Sequence, residues 1–354
     1  MNVRRHEQVQ RLHELLVESV EAIQSSDDWK RLLDFAGRFH RYSTDNQALI
    51  AVQHERAYRE GQVVEPVPRY VAGFRTWKAL GRSVDKGQHG YAILAPVSYR
   101  ARAARQGDGS LRPLSQGEDV GDGEALVRGP ASLRGFTVAY VFDVSQTSGA
   151  PVPEQHQPQL LHGQAPVGLH EQLSSFLRER GFTVGDVPDA EAIGGANGLT
   201  NFVTRTVSVR ADMGGAARVK TLAHESGHVL LHDPKADPEL ARSGAAHRGR
   251  AEVEAESLAY IIASAHGMDT SSYSVPYVTS WAGVTNPADV VRTTAQRVVN
   301  AARDILNALD TDHGLGGAPP GIEAALERVR AARQPRTDSL AADVPCTEPA
   351  AIGV

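Results

Sequence analysis

The run Thr221-Leu222-Ala223-His224-Glu225-Ser226-Gly227-His228-Val229-Leu230-Leu231-His232 contains the residues with the clearest chemistry. Its apolar flanks suit a helix, and on a helix two histidines four residues apart share one face. Both imidazoles then lie close enough to hold one Zn²⁺. Glu225 is offset by one position, so it reaches a water on such an ion rather than the ion itself, where a general base belongs. Gly227 leaves room for a neighbouring backbone. His232 follows His224 by eight residues, roughly 12 Å along the axis at about 1.5 Å per residue, which is too far to share a tetrahedral ion. It reads as a helix-end or supporting histidine.

A third ligand must come from elsewhere. The segment Arg250-Ala-Glu-Val-Glu-Ala-Glu-Ser-Leu-Ala259 offers Glu252, Glu254 and Glu256. At about 100° per residue Glu254 faces away from Glu252, whereas Glu256 shares its face. The small residues Ala255 and Ala259 let that helix pack closely on the histidine helix. Glu252 is taken as the ligand and Glu256 as the carboxylate orienting a ligand histidine, with exchange of the two roles as the alternative. An ion held by two histidines, a glutamate and a water would lower that water's pKa and polarise a carbonyl. Glu225 would take the proton and pass it to a leaving amine. Tyr277, within Tyr273–Trp281, is the candidate oxyanion donor, with Tyr260 and His247 behind it. Zn²⁺ is the expected ion, one per chain, with Mn²⁺ or another divalent metal open.

Several elements must position these groups. Val9, Leu12, Leu15, Leu16, Val20 and Ile23 predict an amphipathic helix over 5–24. Ser25-Ser-Asp-Asp28 offers caps for a second helix from near Trp29. A short helix over Phe74–Leu80 ends at Gly81, and strands are expected at Tyr91–Tyr99 and Phe136–Phe142. The intervening 101–132, rich in Gly, Arg and Asp, reads as a flexible loop. Four prolines in 148–166 mark a linker. Beyond it come a helix at Leu169–Arg180, a β-region including Val203–Val209, and a helix from Arg218 to His232, stopped by Asp233-Pro234. Two more helices follow, about 250–266 before Gly267 and from Pro287 to about Leu309. The Gly/Pro/Ala-rich end reads as disordered, apart from a helical stretch at 322–332. The expected domains are 1–148 and 167–310, joined by a linker at 149–166 and followed by a largely disordered tail at 311–354.

The chain has 354 residues, 41% hydrophobic and 22% charged, the balance of a soluble globular protein. No apolar run approaches a membrane span, and the polar start does not read as a secretory signal. The single cysteine, Cys346, excludes an intrachain disulfide and a thiolate metal cluster. A cytoplasmic protein is expected. Trp29 to Arg105 holds fourteen Lys or Arg against six Asp or Glu, on a chain of net charge −5. A basic segment within an acidic chain suggests a polyanionic partner for that segment alone.

The second half resembles the ArdC-like antirestriction proteins and the related ImmA/IrrE-type metallopeptidases. The matching stretches are Lys220–His228, Glu252-Val-Glu-Ala-Glu256-Ser and Tyr273–Trp281. In the ImmA/IrrE type the third ligand is a glutamate followed three residues later by a small residue, and Glu252 with Ala255 fits that. The first half resembles the ArdC-like single-stranded DNA-binding domain in Tyr42–Ile50, Gly73–Arg82, Val84–Gly87 and Val141–Thr147. The resemblance implies an α+β protein: an α+β domain binding single-stranded DNA, then a mostly helical zincin-like domain with a small β-sheet. It also implies protection of incoming DNA. Arg75, Lys78, Arg82 and Lys86 would track phosphates, with Tyr42, Tyr70, Phe74 or Trp77 stacking on bases and Asn46 in the same surface. Phe74, Trp77 and Leu80 at three-residue spacing equally suit a buried stripe.

The leading reading is a zinc metalloendopeptidase acting on proteins at DNA. A non-catalytic DNA-binding protein that protects by occupancy, its metal structural, is the alternative. A third reading, a peptidase cleaving a transcription factor, leaves the basic segment unexplained.

Overall fold

The computed structural model describes residues 3–114, 118–121, 123–152, 163–235, 245–270 and 287–309, with Ala325 and Glu327 beyond them. Helix α1 (Val3–Glu21) turns Leu12, Leu16 and Val20 to the core at four-residue spacing. Helix α2 (Ser26–Arg38) starts at a capping box in which Ser25 Oγ accepts from the Asp28 N–H and the Asp28 carboxylate accepts from the Ser25 N–H. Helix α3 (Thr44–Arg59), capped by Ser43, has no counterpart among the expected elements. Its buried face includes Asn46, Gln47 and His54, polar residues that weaken the apolar period.

Strands β1 (Val71–Gly73), β3 (Tyr91–Arg105), β4 (Leu111–Pro113) and β5 (Ala125–Asp143) form an antiparallel sheet in the order β1-β5-β3-β4. Helix α4 (Phe74–Ala79) follows β1, and β2 (Arg82–Val84) pairs with β6 (Thr147–Gly149). The expected loop at 101–132 is corrected: its described residues are largely a β-ribbon, with Arg102 opposite Arg128 and Ala104 opposite Leu126. Much of the ribbon is exposed, so its strands lack the apolar alternation that marks a half-buried strand.

Helix α5 (Leu169–Glu179) leads to a three-stranded sheet of β7 (Thr183–Val187), β8 (Gly198–Asn201) and β9 (Thr206–Arg210), ordered β7-β9-β8. Strand β8 lies at the edge, antiparallel to β9. Helices α6 (Gly215–Leu231), α7 (Ala245–Ala265) and α8 (Pro287–Ala308) complete the described chain. In α7, Val253, Ala255, Leu258, Ala259, Tyr260, Ile261 and Ile262 are all buried, which makes it a core helix covered on most sides, with Glu252 left exposed. Among the described residues no helix is long and apolar enough to cross a membrane.

The expected boundary at 148 does not separate two cores. Trp29, Leu33 and Ala36 of α2 belong to the same buried cluster as Leu222, Leu258 and Val298. Trp29 Nε1 donates to Ser257 Oγ (3.0 Å), and Asp34 Oδ1 accepts from Tyr260 Oη and Ser264 Oγ (3.0 Å each). A Cβ on Gly37 would sit 3.3 Å from the Ile261 carbonyl oxygen, so α2 and α7 meet at backbone distance. Arg303 of α8 donates to the carbonyls of His40 and Tyr42. Of the expected linker, 153–162 lie outside the described residues, as does nearly all of the tail. A fragment ending at residue 152 therefore bares the Trp29 face of α2. It is expected to bind a hydrophobic dye and to unfold without a cooperative transition. A monomeric fragment with a sharp thermal transition would contradict the shared core.

Candidate metal centre

Helix α6 begins at Gly214-Gly215 and ends with His232 as its cap, just before Asp233-Pro234. It crosses α7 at a point where neither helix carries bulk: a Cβ on Gly227 would lie 2.8 Å from the Ala255 Cα. This approach sets His224 and His228 against Glu252. The two Nε2 atoms are 3.1 Å apart, and Glu252 places its oxygens 3.3 Å from His224 Nε2 and 3.6 Å from His228 Nε2. Ligands bonded at about 2.0–2.2 Å to a tetrahedral ion lie roughly 3.3–3.5 Å apart, so this donor set fits one divalent cation. Two imidazoles and a carboxylate suit Zn²⁺ by type, and Mn²⁺ less closely.

Each histidine is backed by a partner. His224 Nδ1–H donates to Glu256 Oε2 (3.2 Å), and Lys220 Nζ lies 2.9 Å from the other oxygen of Glu256. His228 Nδ1 faces His232 Nδ1 at 3.1 Å, and His232 Nε2 is 2.9 Å from Glu254 Oε2. The electrostatics are those of converging donors. Burial opposes charge on His224, but Glu252, Glu256 and Glu225 outweigh it and push its pKa up to about 9. Burial, then repulsion from His224, takes His228 down to about 4.

Glu225 points to the other side of the histidines and is 5% exposed. Its Oε2 accepts from Thr200 Oγ1 at 2.6 Å, and burial raises its pKa above the usual carboxylate value against that hydrogen bond. Strand β8 lies directly on it, since a Cβ on Gly198 would be 2.7 Å from Glu225 Oε1. A cavity of about 590 Å³ opens here, with Gly198, Thr200, Phe202, Met213 and Ala217 in its wall beside the histidines and glutamates.

The structure therefore brings together His224, Glu225, His228, Glu252 and Glu256. Tyr277 lies outside the described residues. Tyr260 is buried in the α2–α7 contact, engaged with Asp34, and His247 lies in the opening turns of α7. Sequence reasoning missed Thr200 and Gly198, which no spacing rule connects to Glu225. It also missed the pairing of Glu254 with His232, although the prediction that Glu254 points away from Glu252 is compatible with where it sits.

The residues assigned to DNA divide into two groups. Trp77 is fully buried and its Nε1 donates to the Phe142 carbonyl (3.0 Å), so it has no ring face for a base. Tyr42 donates to the Val71 carbonyl (2.9 Å), and burial pushes its pKa up to about 12. Asn46 pairs with both the N–H and the C=O of Leu94 (2.9 and 3.0 Å). Arg82 donates to Thr147 Oγ1 (2.8 Å) and to the Ala150 carbonyl, clamping β2 to β6. Trp77 and Asn46, buried with their polar atoms committed, are corrected to structural roles, while Tyr42 and Arg82 are half-buried and hold neighbouring segments through these bonds. Arg75, Lys78 and Lys86 are exposed, as is Phe74 beside them.

Residues 6–138 match the family model for the N-terminal domain of the anti-restriction factor ArdC. This ArdC-like stretch runs from α1 to near the end of β5. A curated relative, the uncharacterized protein pXO2-81 of Bacillus anthracis, is 25% identical over 330 residues, 84% of this chain. The chain spans 50% of that relative's length. Two solved structures of the antirestriction ArdC protein from R388 plasmid, one metal-free and one Mn(II)-bound, each align at 17% identity with a TM-score of 0.45. They cover 87% and 85% of this chain, and 97% and 98% of their own.

The α6–α7 approach yields a test that needs no substrate. Gly227→Ala overpacks the crossing and is expected to cost about 1–3 kcal/mol of stability. It should also loosen the three-residue donor set, seen as a lower thermal midpoint together with weaker divalent-metal uptake. An unchanged midpoint would show that α6 and α7 have slack at this position.

Proposed function

We propose that the chain is a divalent-metal-dependent peptidase working at single-stranded DNA. The observation that carries the reading is Glu225, a buried carboxylate with one hydroxyl partner, facing a cavity beside three converging donor groups. His224, His228 and Glu252 would hold the ion, which when bound supplies Lewis-acid chemistry: it makes water more acidic and polarises a carbonyl. Glu225 takes a proton from the attacking water and returns it to the departing amine. Its raised pKa suits that exchange, because a carboxylate of ordinary acidity gives up a proton readily but accepts one poorly. Thr200 holds the carboxylate in place from β8. The edge position of β8 offers backbone N–H and C=O groups to an extended peptide lying across the cavity.

The DNA part of the reading draws on the ArdC-like match and on an exposed surface. Phe74 is 53% exposed between Gly73 and Arg75. Gly73 pairs with Val141, and the neighbouring Tyr140 is also 53% exposed. Two open rings, with Arg75 and Lys78 on the helix that carries Phe74 and the exposed Lys86 further on, supply stacking faces and phosphate partners.

Glu225→Gln tests the chemistry. The amide is nearly isosteric and should keep metal and DNA binding, while cleavage falls by about 10²–10⁴-fold. Protein cleavage and protection of DNA from a nuclease should be followed in parallel, with single-stranded DNA present. Full protection by the variant, with no cleavage by wild type, would favour protection by occupancy with a structural metal. For the DNA surface, Phe74→Ala and Tyr140→Ala should each weaken single-strand binding by about 1–3 kcal/mol. Arg75→Ala should flatten the dependence of log affinity on log salt by about 0.7. Equal affinity of wild type for duplex and single strand would count against the stacking surface.

A further inference from the structure

Glu254 faces away from the three converging donors, yet it is among the most buried carboxylates of the chain, 1% exposed. Its Oε1 accepts from Arg250 Nε at 2.8 Å, and the Arg297 guanidinium of α8 lies 3.3 Å away. Arg297 also donates to the Leu231 carbonyl (2.8 Å) in the last turn of α6. The remaining oxygen of Glu254 meets His232 Nε2 at 2.9 Å. A carboxylate flanked by two guanidinium groups accepts hydrogen bonds and donates none, so the proton in this contact belongs to His232 Nε2. With the His232 imidazole neutral, its Nδ1 then carries the lone pair. It stands 3.1 Å from His228 Nδ1, which must be the donor. That leaves His228 Nε2 bare, directed at His224 Nε2 and Glu252.

We propose that His232 and Glu254 are positioning residues for the metal centre: a hydrogen-bond chain from Glu254 through His232 fixes His228 in the tautomer whose Nε2 lone pair faces the ion position. The inference rests on reading His224, His228 and Glu252 as ligands. It completes a symmetry of function, since Glu256 does the same for His224 in a single step. His232 is also tied in place by its own backbone, its N–H donating to the His228 carbonyl (2.9 Å) as the cap of α6. The chain thus links α8, through Arg297 and Glu254, to a ligand on α6.

The test uses the full chain, with affinity for Zn²⁺ and for Mn²⁺ measured by chelator competition. The His228 tautomer is read in the metal-free protein by long-range ¹⁵N–¹H NMR. His232→Leu keeps bulk but breaks the chain, and is expected to weaken metal binding by about 10–100-fold. It should also leave His228 as a mixture of tautomers. His232→Gln offers a carbonyl to His228 Nδ1–H and an amide N–H to Glu254, and should stay near wild type in both readouts. If His232→Leu does not fold, Glu254→Gln takes its place with the same expected direction. Equal affinity of His232→Leu and wild type, equal losses in the Leu and Gln variants, or a wild-type His228 protonated on Nε2 would each overturn the proposal. A wild-type chain that takes up neither ion removes the metal reading instead, and the tautomer measurement then decides the hydrogen-bond chain by itself.

Discussion

Everything at the candidate site depends on how closely α6 and α7 approach. Packed helices ordinarily stand about 8–10 Å apart, separated by the side chains between them. At Gly227 and Ala255 there is almost nothing to separate them, and the space for a Cβ on Gly227 is already taken by the Ala255 backbone. That close approach lets two imidazoles on one helix and a glutamate on the other converge to 3.1–3.6 Å between their donor atoms. The same demand falls on another side of α7, where a Cβ on Gly37 of α2 would lie 3.3 Å from the Ile261 carbonyl oxygen. Helix α7 is therefore gripped between two glycine-mediated contacts, one from each half of the chain. A helix so placed has no polar face to spare, which explains why its side chains are buried nearly all round.

Glu225, Glu254 and Glu256 are withdrawn from solvent, which is costly unless each finds a partner, whereas Glu252 stays largely exposed. Glu252 has the two histidines, Glu256 has Lys220 and His224, and Glu254 has Arg250, Arg297 and His232. Each of these three has its pKa lowered. Glu225 is different. Its only hydrogen-bond partner among the described side chains is the Thr200 hydroxyl, and burial wins, raising its pKa. Cationic or histidine partners thus go to Glu252, Glu254 and Glu256, while Glu225, which shares the cavity with two of them, has a hydroxyl instead. That contrast is the one the proposed proton exchange at Glu225 calls for.

Much of this was legible in the sequence because the relevant geometry is local to a helix. His224, Glu225 and His228 follow from a four-residue spacing, and the shared face of Glu252 and Glu256 follows from 100° per residue. The helices at α1, α2, α5, α6, α7 and α8 were marked by caps and apolar spacing. What escaped depends on contacts distant in sequence. Helix α3 buries Asn46, Gln47 and His54, each of which hydrogen-bonds a backbone carbonyl outside the helix, so its period looked broken. The 101–132 ribbon pairs backbone to backbone while exposing both faces, and leaves little trace in residue type. Glu254 was set aside because it faces away from Glu252, a sound inference that stopped short of asking what lay on its own side.

Some of the residues assigned to DNA hold the fold instead, for a general physical reason. Asn46 satisfies the N–H and the C=O of one strand residue at once, and Arg82 spans a hydroxyl and a carbonyl of β6 and the residue after it. Few side chains can make such paired contacts, so the residues that make them form recognisable motifs. A cation that tracks a phosphate through solvent has no comparable constraint: Lys or Arg at any of several exposed positions serves equally well. Recognisable motif and binding surface are thus filled by different physical demands, and the first is a poor guide to the second. The tightly specified residues hold β1, β2, β5 and β6 in place, and what they hold up is the ledge from which Phe74, Arg75, Lys78 and Tyr140 project.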